Sequence, residues 1–273
     1  MAEIKGVSRR SFLAGTGAMA ALAAAGIAGC SPKGNSQDNE NGTASATQLK
    51  TADEVKECDV LVVGLGASGL MAAYGAASNG ANVIAIDTGS DMSATTNVRT
   101  SGAWCVGSSL QKAAAGEQLT IKEAMDHINN GTNYQTNQKV LRSILGASGR
   151  AIDILVENGM QFRNDFDLTG EQANINTRGV HWYIQTGADR ADVFQKVADS
   201  AGVECLFSTT AENAIIEDGN ITGVQCDSSG KVLDIKAKAI IMCSGGFLGN
   251  PDMVAEHFAG AKIVVMGNEE CKG

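Results

Sequence analysis

Gly64, Gly66 and Gly69 stand in the run Gly64-Leu65-Gly66-Ala67-Ser68-Gly69, a G-x-G-x-x-G spacing suited to holding a diphosphate. A diphosphate needs hydrogen-bond donors and positive potential, and the first turn of a helix offers both without Lys or Arg. In this reading Gly64 makes the tight turn, Gly66 admits the pyrophosphate to the backbone, and Gly69 brings the helix close to its strand. Ala67 and Ser68 supply first-turn amides. Asp87, with Thr88 beside it, supplies a carboxylate able to accept hydrogen bonds from adenosine ribose hydroxyls.

These residues need a strand, a turn, a helix and a second strand to hold them. Asp59-Val60-Leu61-Val62-Val63 is a short β-branched run of the kind that fills a buried parallel strand. After the glycines, Leu70, Ala73 and Ala77 have helical spacing, which stops at Asn79-Gly80. Asn82-Val83-Ile84-Ala85-Ile86 then reads as the second strand and ends at Asp87. An ordinary βαβ unit with a glycine-rich turn is the bland alternative, but strand, helix and terminal acid all fall at the offsets a dinucleotide site requires.

Composition agrees and narrows the field. With 44% hydrophobic residues, 33 Gly and 2 Pro in 273 residues, the chain can bury a sizeable core of one or two domains. Lys and Arg number 21 against 30 Asp and Glu, a formal charge of −9, which argues against a nucleic-acid partner. The seven Cys show neither zinc-type pairing nor a C-x-x-C-H haem attachment, so no metal is expected.

Residues 1–30 read as a processing segment. Ser8-Arg9-Arg10-Ser11-Phe12-Leu13 is a twin-arginine pattern, and an Ala/Gly-rich stretch from Ala14 to Gly29 follows it. The end, Ile27-Ala28-Gly29-Cys30, resembles a lipobox, which makes Cys30 the expected lipidation site after cleavage. The twin-arginine machinery exports folded proteins, which suits a chain that must capture its cofactor first. Residues 31–50 are polar and low in apolar side chains, the composition of a disordered linker. Loss of Glu3, Lys5, Arg9 and Arg10 with the signal leaves 18 basic and 29 acidic residues and a charge of −11. The expected location is the outer face of the cytoplasmic membrane, held by lipid.

The glycine fingerprint alone serves NAD and FAD equally, and later residues separate them. Asn97-Val98-Arg99-Thr100-Ser101-Gly102-Ala103 resembles the N-S-x-x-S-G-G loop of the fumarate reductase and 3-ketosteroid dehydrogenase family of flavoproteins, with Ala103 in place of the second Gly. Ala239-Ile240-Ile241-Met242-Cys243-Ser244-Gly245-Gly246-Phe247 is similar to that family's "A-T-G-G-F" strand end near the dinucleotide. The resemblance implies FAD as cofactor. It also implies flavin contacts at Asn97, Ser101 and Gly102, dinucleotide contacts at Ser244, Gly245 and Gly246, and a backbone contact to adenine near Thr210-Ala211.

The fold expected for 51–273 is therefore α/β: a Rossmann-like FAD-binding domain, mainly parallel, with an antiparallel meander. The helical spacings Lys139–Leu145 and Ala151–Glu157 read as a helix pair ending at Asn158-Gly159. Asp189 to Ser200 reads as an amphipathic helix with Asp189 as N-cap, and Gly202-Val203-Glu204-Cys205 returns to the sheet. Ala214 to Val224 is a hairpin about Asp218-Gly219. Of the three histidines, His127 and His257 read as surface helical residues, and His181, in Arg178-Gly179-Val180-His181-Trp182, either approaches the flavin or, the favoured reading, packs in the structure, so none is assigned as a proton donor.

Family members continue past the equivalent of Gly273 into a capping domain and a final piece of the FAD domain. This chain ends at Glu269-Glu270-Cys271-Lys272-Gly273, where they show a G-D-G turn. The sequence thus reads as the front part of the family's fold, with catalytic residues expected in the part that is missing. The resemblance implies hydride transfer between flavin N5 and an activated C=C bond of an unsaturated acid or enone. The electron donor would be an exported protein, cytochrome or quinol-linked. The alternatives are an NAD-dependent dehydrogenase and an inactive FAD- or NAD-binding lipoprotein remnant.

Overall fold

The computed structural model describes residues 49–163, 167, 169–247 and 250–258. The twin-arginine segment, Cys30, nearly all of the polar linker and the Glu269–Gly273 end lie outside the described residues.

A six-stranded sheet organises the chain, in the order β5-β2-β1-β8-β7-β6. Strands β1 (Glu54–Val63), β2 (Val83–Ile86), β5 (Glu204–Leu206) and β8 (Lys231–Met242) form the parallel part. β6 (Thr209–Glu217) and β7 (Asn220–Ser228) complete an antiparallel meander with β8. The expected α/β architecture, mainly parallel with a meander, is the one observed. The central strand β1 is longer than its apolar run, because Glu54 to Cys58 pair in register with Leu233 to Ala237 and gain ladder bonds that their polar side chains do not advertise.

The apolar half of β1 separates two cores. Val62 packs with Leu65, Leu70 and Ala73 under α1 (Ala67–Ser78), and with Phe194 and Val197, whereas Leu61 and Val63 pack with Ile84, Ile86, Cys226 and Ile235 beneath the meander. Alternating side chains of a strand buried on both faces require this division. At the meander turn, Asp218 and Gly219 both have positive φ, 50° and 78°, the signature of a type I′ hairpin.

Besides α1, the chain forms α2 (Ser109–Ala113), α3 (Ile121–Gly131), α4 (Gln138–Glu157), α5 (Ile175–Gly179), α6 (Gly187–Ala201) and α7 (Pro251–His257). Two expectations need correction. The helix pair read at Lys139–Leu145 and Ala151–Glu157 is the single helix α4, because Leu141, Leu145, Ile152 and Leu155 form one buried stripe that outweighs the poor helix formers Gly146 and Gly149. The N-cap of α6 is Thr186, not Asp189, which lies inside the first turn where its charge opposes the positive end of the dipole. α6 ends at Gly202, in the left-handed conformation (φ 75°), before β5.

Candidate functional site

The carboxyl ends of β1, β2 and β8 bring together the residues expected to hold a dinucleotide. Gly64 has φ +99°, and a Cβ there would stand 2.4 Å from the Cys243 carbonyl oxygen, so only glycine lets the β1 turn lie against the end of β8. A Cβ on Gly69 would meet the Gly64 carbonyl oxygen at 1.7 Å, which fixes the close approach of α1 to its strand. The Cys243 N–H donates to the Val63 carbonyl at 2.7 Å, and Ser244 N lies 3.2 Å from where a Gly64 Cβ would stand, so the chain that leads on to Gly245 and Gly246 leaves the sheet at the glycine turn.

No side chain caps the start of α1, and its first turn carries no acidic residue. Ala67 and Ser68 are exposed there. First-turn amides have no intrahelical partner, so this end presents free donors and a positive dipole end in an otherwise acidic protein. The donor set fits a diphosphate. Asp87 follows β2. Its Oδ2 accepts from the Leu65 N–H at 2.7 Å and its Oδ1 from the Gly89 N–H at 2.8 Å, which ties the acid to the glycine turn. Thr88 is exposed next to it. The Thr209 N–H donates to the Asp87 carbonyl at 2.9 Å and the Ser208 N–H to the Gly89 carbonyl at 2.7 Å, so the start of β6, leading to Ala211, lies against the same loop.

The third component is the segment from Met92 to Trp104. Asn97 is buried, and its Nδ2 donates to the Leu65 carbonyl at 2.7 Å and to Thr95 Oγ1 at 3.1 Å. Leu65 therefore has both backbone groups engaged, one by Asp87 and one by Asn97. Further along, β3 (Gly102–Trp104) pairs with β4 (Val180–Trp182) as a two-stranded ribbon. Ser101 is exposed just before it.

His181 points inward from that ribbon and is fully buried. Its Nδ1 lies 3.0 Å from the Gly179 carbonyl, its Nε2 2.8 Å from Ser108 Oγ, and Cys105 Sγ is 3.4 Å from Nδ1. A Cys–His pair at this distance resembles a nucleophile and its base, but the electrostatics oppose that use. Burial pushes the Cys105 thiol up to about 12 and lowers the His181 pKa. The carbonyl holds Nδ1–H, so Nε2 accepts from Ser108, whose Oγ in turn accepts the Gln111 N–H at 3.1 Å and caps α2. The cluster is a neutral, satisfied core network. His127 and His257 are exposed helical residues.

Arg190 was not visible to motif reading, yet it is 5% exposed and organises the same loop. A signal existed: Arg190 continues the stripe Val193, Phe194, Val197 at helical spacing, and so had to point into the core. Among the described residues no group of three His, Cys, Asp or Glu is placed to hold a metal ion, and no helix is long and apolar enough to cross a membrane.

The family model described as FAD binding domain matches residues 59–273. Relatives include a vinyl phenol reductase of Lactiplantibacillus plantarum, 31% identical over an alignment of 226 residues that covers 79% of this chain and 43% of the relative. An NADH:fumarate oxidoreductase of Klebsiella pneumoniae is 24% identical, covering 74% of this chain and 22% of its own length. Among solved structures, a 3-ketosteroid-Δ4-(5α)-dehydrogenase from Rhodococcus jostii matches 78% of this chain and 50% of that one, with a TM-score of 0.60 and 20% identity. An open flavocytochrome c3 fumarate reductase matches 78% of this chain and 36% of its own, with a TM-score of 0.59 and 21% identity. The chain spans less than half the length of the two relatives named first.

Proposed function

Because the chain belongs to the FAD binding domain family, with FAD as its cofactor, we propose that it serves as the cofactor-holding part of an oxidoreductase. When bound, the flavin supplies hydride transfer at N5 to or from an activated C=C bond of an unsaturated acid or enone. The observation that carries this reading is the uncapped first turn of α1 set against the glycine turn, with Asp87 and the end of β8 closing the same cradle.

In this proposal the residues divide the work. Gly64, Gly66, Ala67, Ser68 and Gly69 present backbone to the diphosphate, Asp87 and Thr88 face the adenosine ribose, and the backbone near Ala211 faces the adenine. Ser244, Gly245 and Gly246 close the dinucleotide cradle. Ser101 and Gly102 face the flavin, while Asn97 braces Leu65 from behind. The substrate is a small unsaturated molecule and the electron donor an exported protein. The twin-arginine segment and Cys30 would carry the folded protein out and anchor it by lipid to the outer face of the cytoplasmic membrane.

The test uses the full chain loaded with FAD and reduced by a viologen dye, with fumarate, a vinyl phenol and a steroid enone offered in turn as acceptors. Reoxidation by one of them, faster than the free dye reacts, supports the reading. Failure to bind FAD, or bound flavin that the dye cannot reduce, contradicts it; bound and reducible flavin that passes hydride to none of the three favours the non-catalytic binding protein.

A further inference from the structure

Arg190 is buried, and the hydrogen bonds its guanidinium makes among the described residues go to backbone carbonyls. Its Nε and Nη2 donate to the Gln185 carbonyl at 3.0 and 2.9 Å, and its Nη1 donates to the Val98 carbonyl at 3.3 Å and to the Thr100 carbonyl. Its Cζ sits 4.6 Å from the centroid of the Tyr183 ring. Desolvating a cation against neutral carbonyls is costly, and an apolar side chain of like volume would fill the space without that cost. The arrangement therefore calls for a reason beyond packing.

Peptide geometry supplies one. The Thr100 carbonyl is turned toward Arg190, and the Ser101 carbonyl accepts from the Tyr183 N–H at 3.1 Å. A trans peptide directs its N–H opposite to its C=O. The Ser101 N–H is thus turned away from Arg190, and the Gly102 N–H away from the Tyr183 N–H. Gly102 and Trp182 are opposed as a non-hydrogen-bonded pair, since the adjacent bond runs from Tyr183 to Ser101, which leaves the Gly102 N–H directed away from β4.

We propose that Arg190 is a positioning residue for the flavin: by drawing the Thr100 carbonyl inward it presents the Ser101 amide outward, while Tyr183, the ring it stacks on, holds the Ser101 carbonyl and leaves the Gly102 amide free, so that the loop offers preformed donors to the bound cofactor. This rests on the reading of the Asn97–Ala103 loop as flavin-facing. Prepaying the order of a loop strengthens binding without adding a contact. The positive charge beneath the loop adds to the donor character of those amides.

The test compares the full chain with Arg190→Met and Arg190→Lys, following FAD affinity by flavin fluorescence quenching and amide exchange of the Val98–Gly102 segment by mass spectrometry. Arg190→Met is expected to weaken FAD binding by about tenfold or more, with faster exchange confined to that segment. Arg190→Lys keeps the charge but reaches fewer carbonyls and should recover only part of the affinity. Arg190→Ala should regain affinity when guanidinium ion is added and not when ammonium is added, a response that loss of packing would not give. If FAD protects the loop amides in the wild type but affinity and loop exchange are unchanged in Arg190→Met and Arg190→Lys, Arg190 has no positioning role. If FAD leaves the wild-type loop amides unprotected, the flavin-facing reading fails and takes the Arg190 role with it.

Discussion

The Asp87 carboxylate accepts a hydrogen bond of 2.7 Å from the backbone N–H of Leu65, so the acid that ends β2 also holds the glycine turn that ends β1. One oxygen steadies the turn, the other holds Gly89 at 2.8 Å, and each keeps lone pairs for hydroxyl donors. The acid is thereby fixed in place before any ligand arrives.

Removing that carboxylate should loosen both its ligand contact and the turn. Asp87→Ala is expected to weaken FAD binding by about ten- to a hundredfold, the equivalent of about 1.5–3 kcal/mol for a charged hydrogen bond. Asp87→Asn, which retains an acceptor for the Leu65 N–H, should lose less. Equilibrium titration of the apoprotein with FAD measures both; equal losses in the two variants would contradict the part of the acceptor that holds the Leu65 N–H, and wild-type binding by Asp87→Asn would contradict the charge's part in the site.

Gly69 admits no side chain. A Cβ placed there lies 1.7 Å from the Gly64 carbonyl oxygen, which is backbone and has little room to retreat. Gly69→Ala should cost about 3 kcal/mol of stability, read as a lower urea midpoint with an unchanged slope. It should also displace the start of α1, so that FAD affinity falls in the folded fraction. A variant with wild-type stability would contradict the described packing of α1 on β1.

His181 makes stability depend on acid. Burial lowers its folded pKa below the unfolded value of about 6.5. The unfolded chain then binds the proton more readily, so the contribution is fully present above about pH 6.5 and is lost as the pH falls toward the folded value. Protonated Nε2 would face the Ser108 hydroxyl, which now donates to it. Urea midpoints taken at about pH 7.5 and about pH 5 should fall more steeply for the wild type than for His181→Gln, which cannot titrate. Parallel falls would contradict the assignment.

Cys105 is expected to be silent toward alkylating reagents at neutral pH, because its buried thiol is pushed up to about 12 and 2% exposed. Mapping iodoacetamide adducts on the native and the urea-unfolded chain checks this. Rapid native labelling of Cys105 would reopen the Cys105–His181 pair as a reactive one.

What could be read in advance was what short-range chemistry dictates. The glycine turn, the helix ended at Asn79-Gly80 and the type I′ turn at Asp218-Gly219 each depend on backbone preferences of adjacent residues, and all stand in the structure. The first half of β1 escaped notice because its ladder bonds to β8 come from residues far away in sequence, and Glu54, Lys56 and Glu57 show no apolar alternation. The small residues in the middle of α4 weaken local propensity and make it read as two helices, while the tertiary stripe that holds it together spans the gap. At the site, the inward turn of Asn97 and the grip of Arg190 on Val98 and Thr100 are relations between distant segments, and only the stripe Arg190, Val193, Phe194, Val197 hinted at one of them.

What the glycine cradle holds can be read directly from the molecule that it releases. The full chain, refolded or purified with FAD, NAD and FMN present in equal amounts, would be desalted and then denatured, and the released molecule identified by mass spectrometry. The prediction is FAD, close to one per chain in the wild type and greatly reduced in Asp87→Ala. Release of NAD instead, or FAD retained equally by wild type and Asp87→Ala, would contradict the site described between β1, β2 and α1.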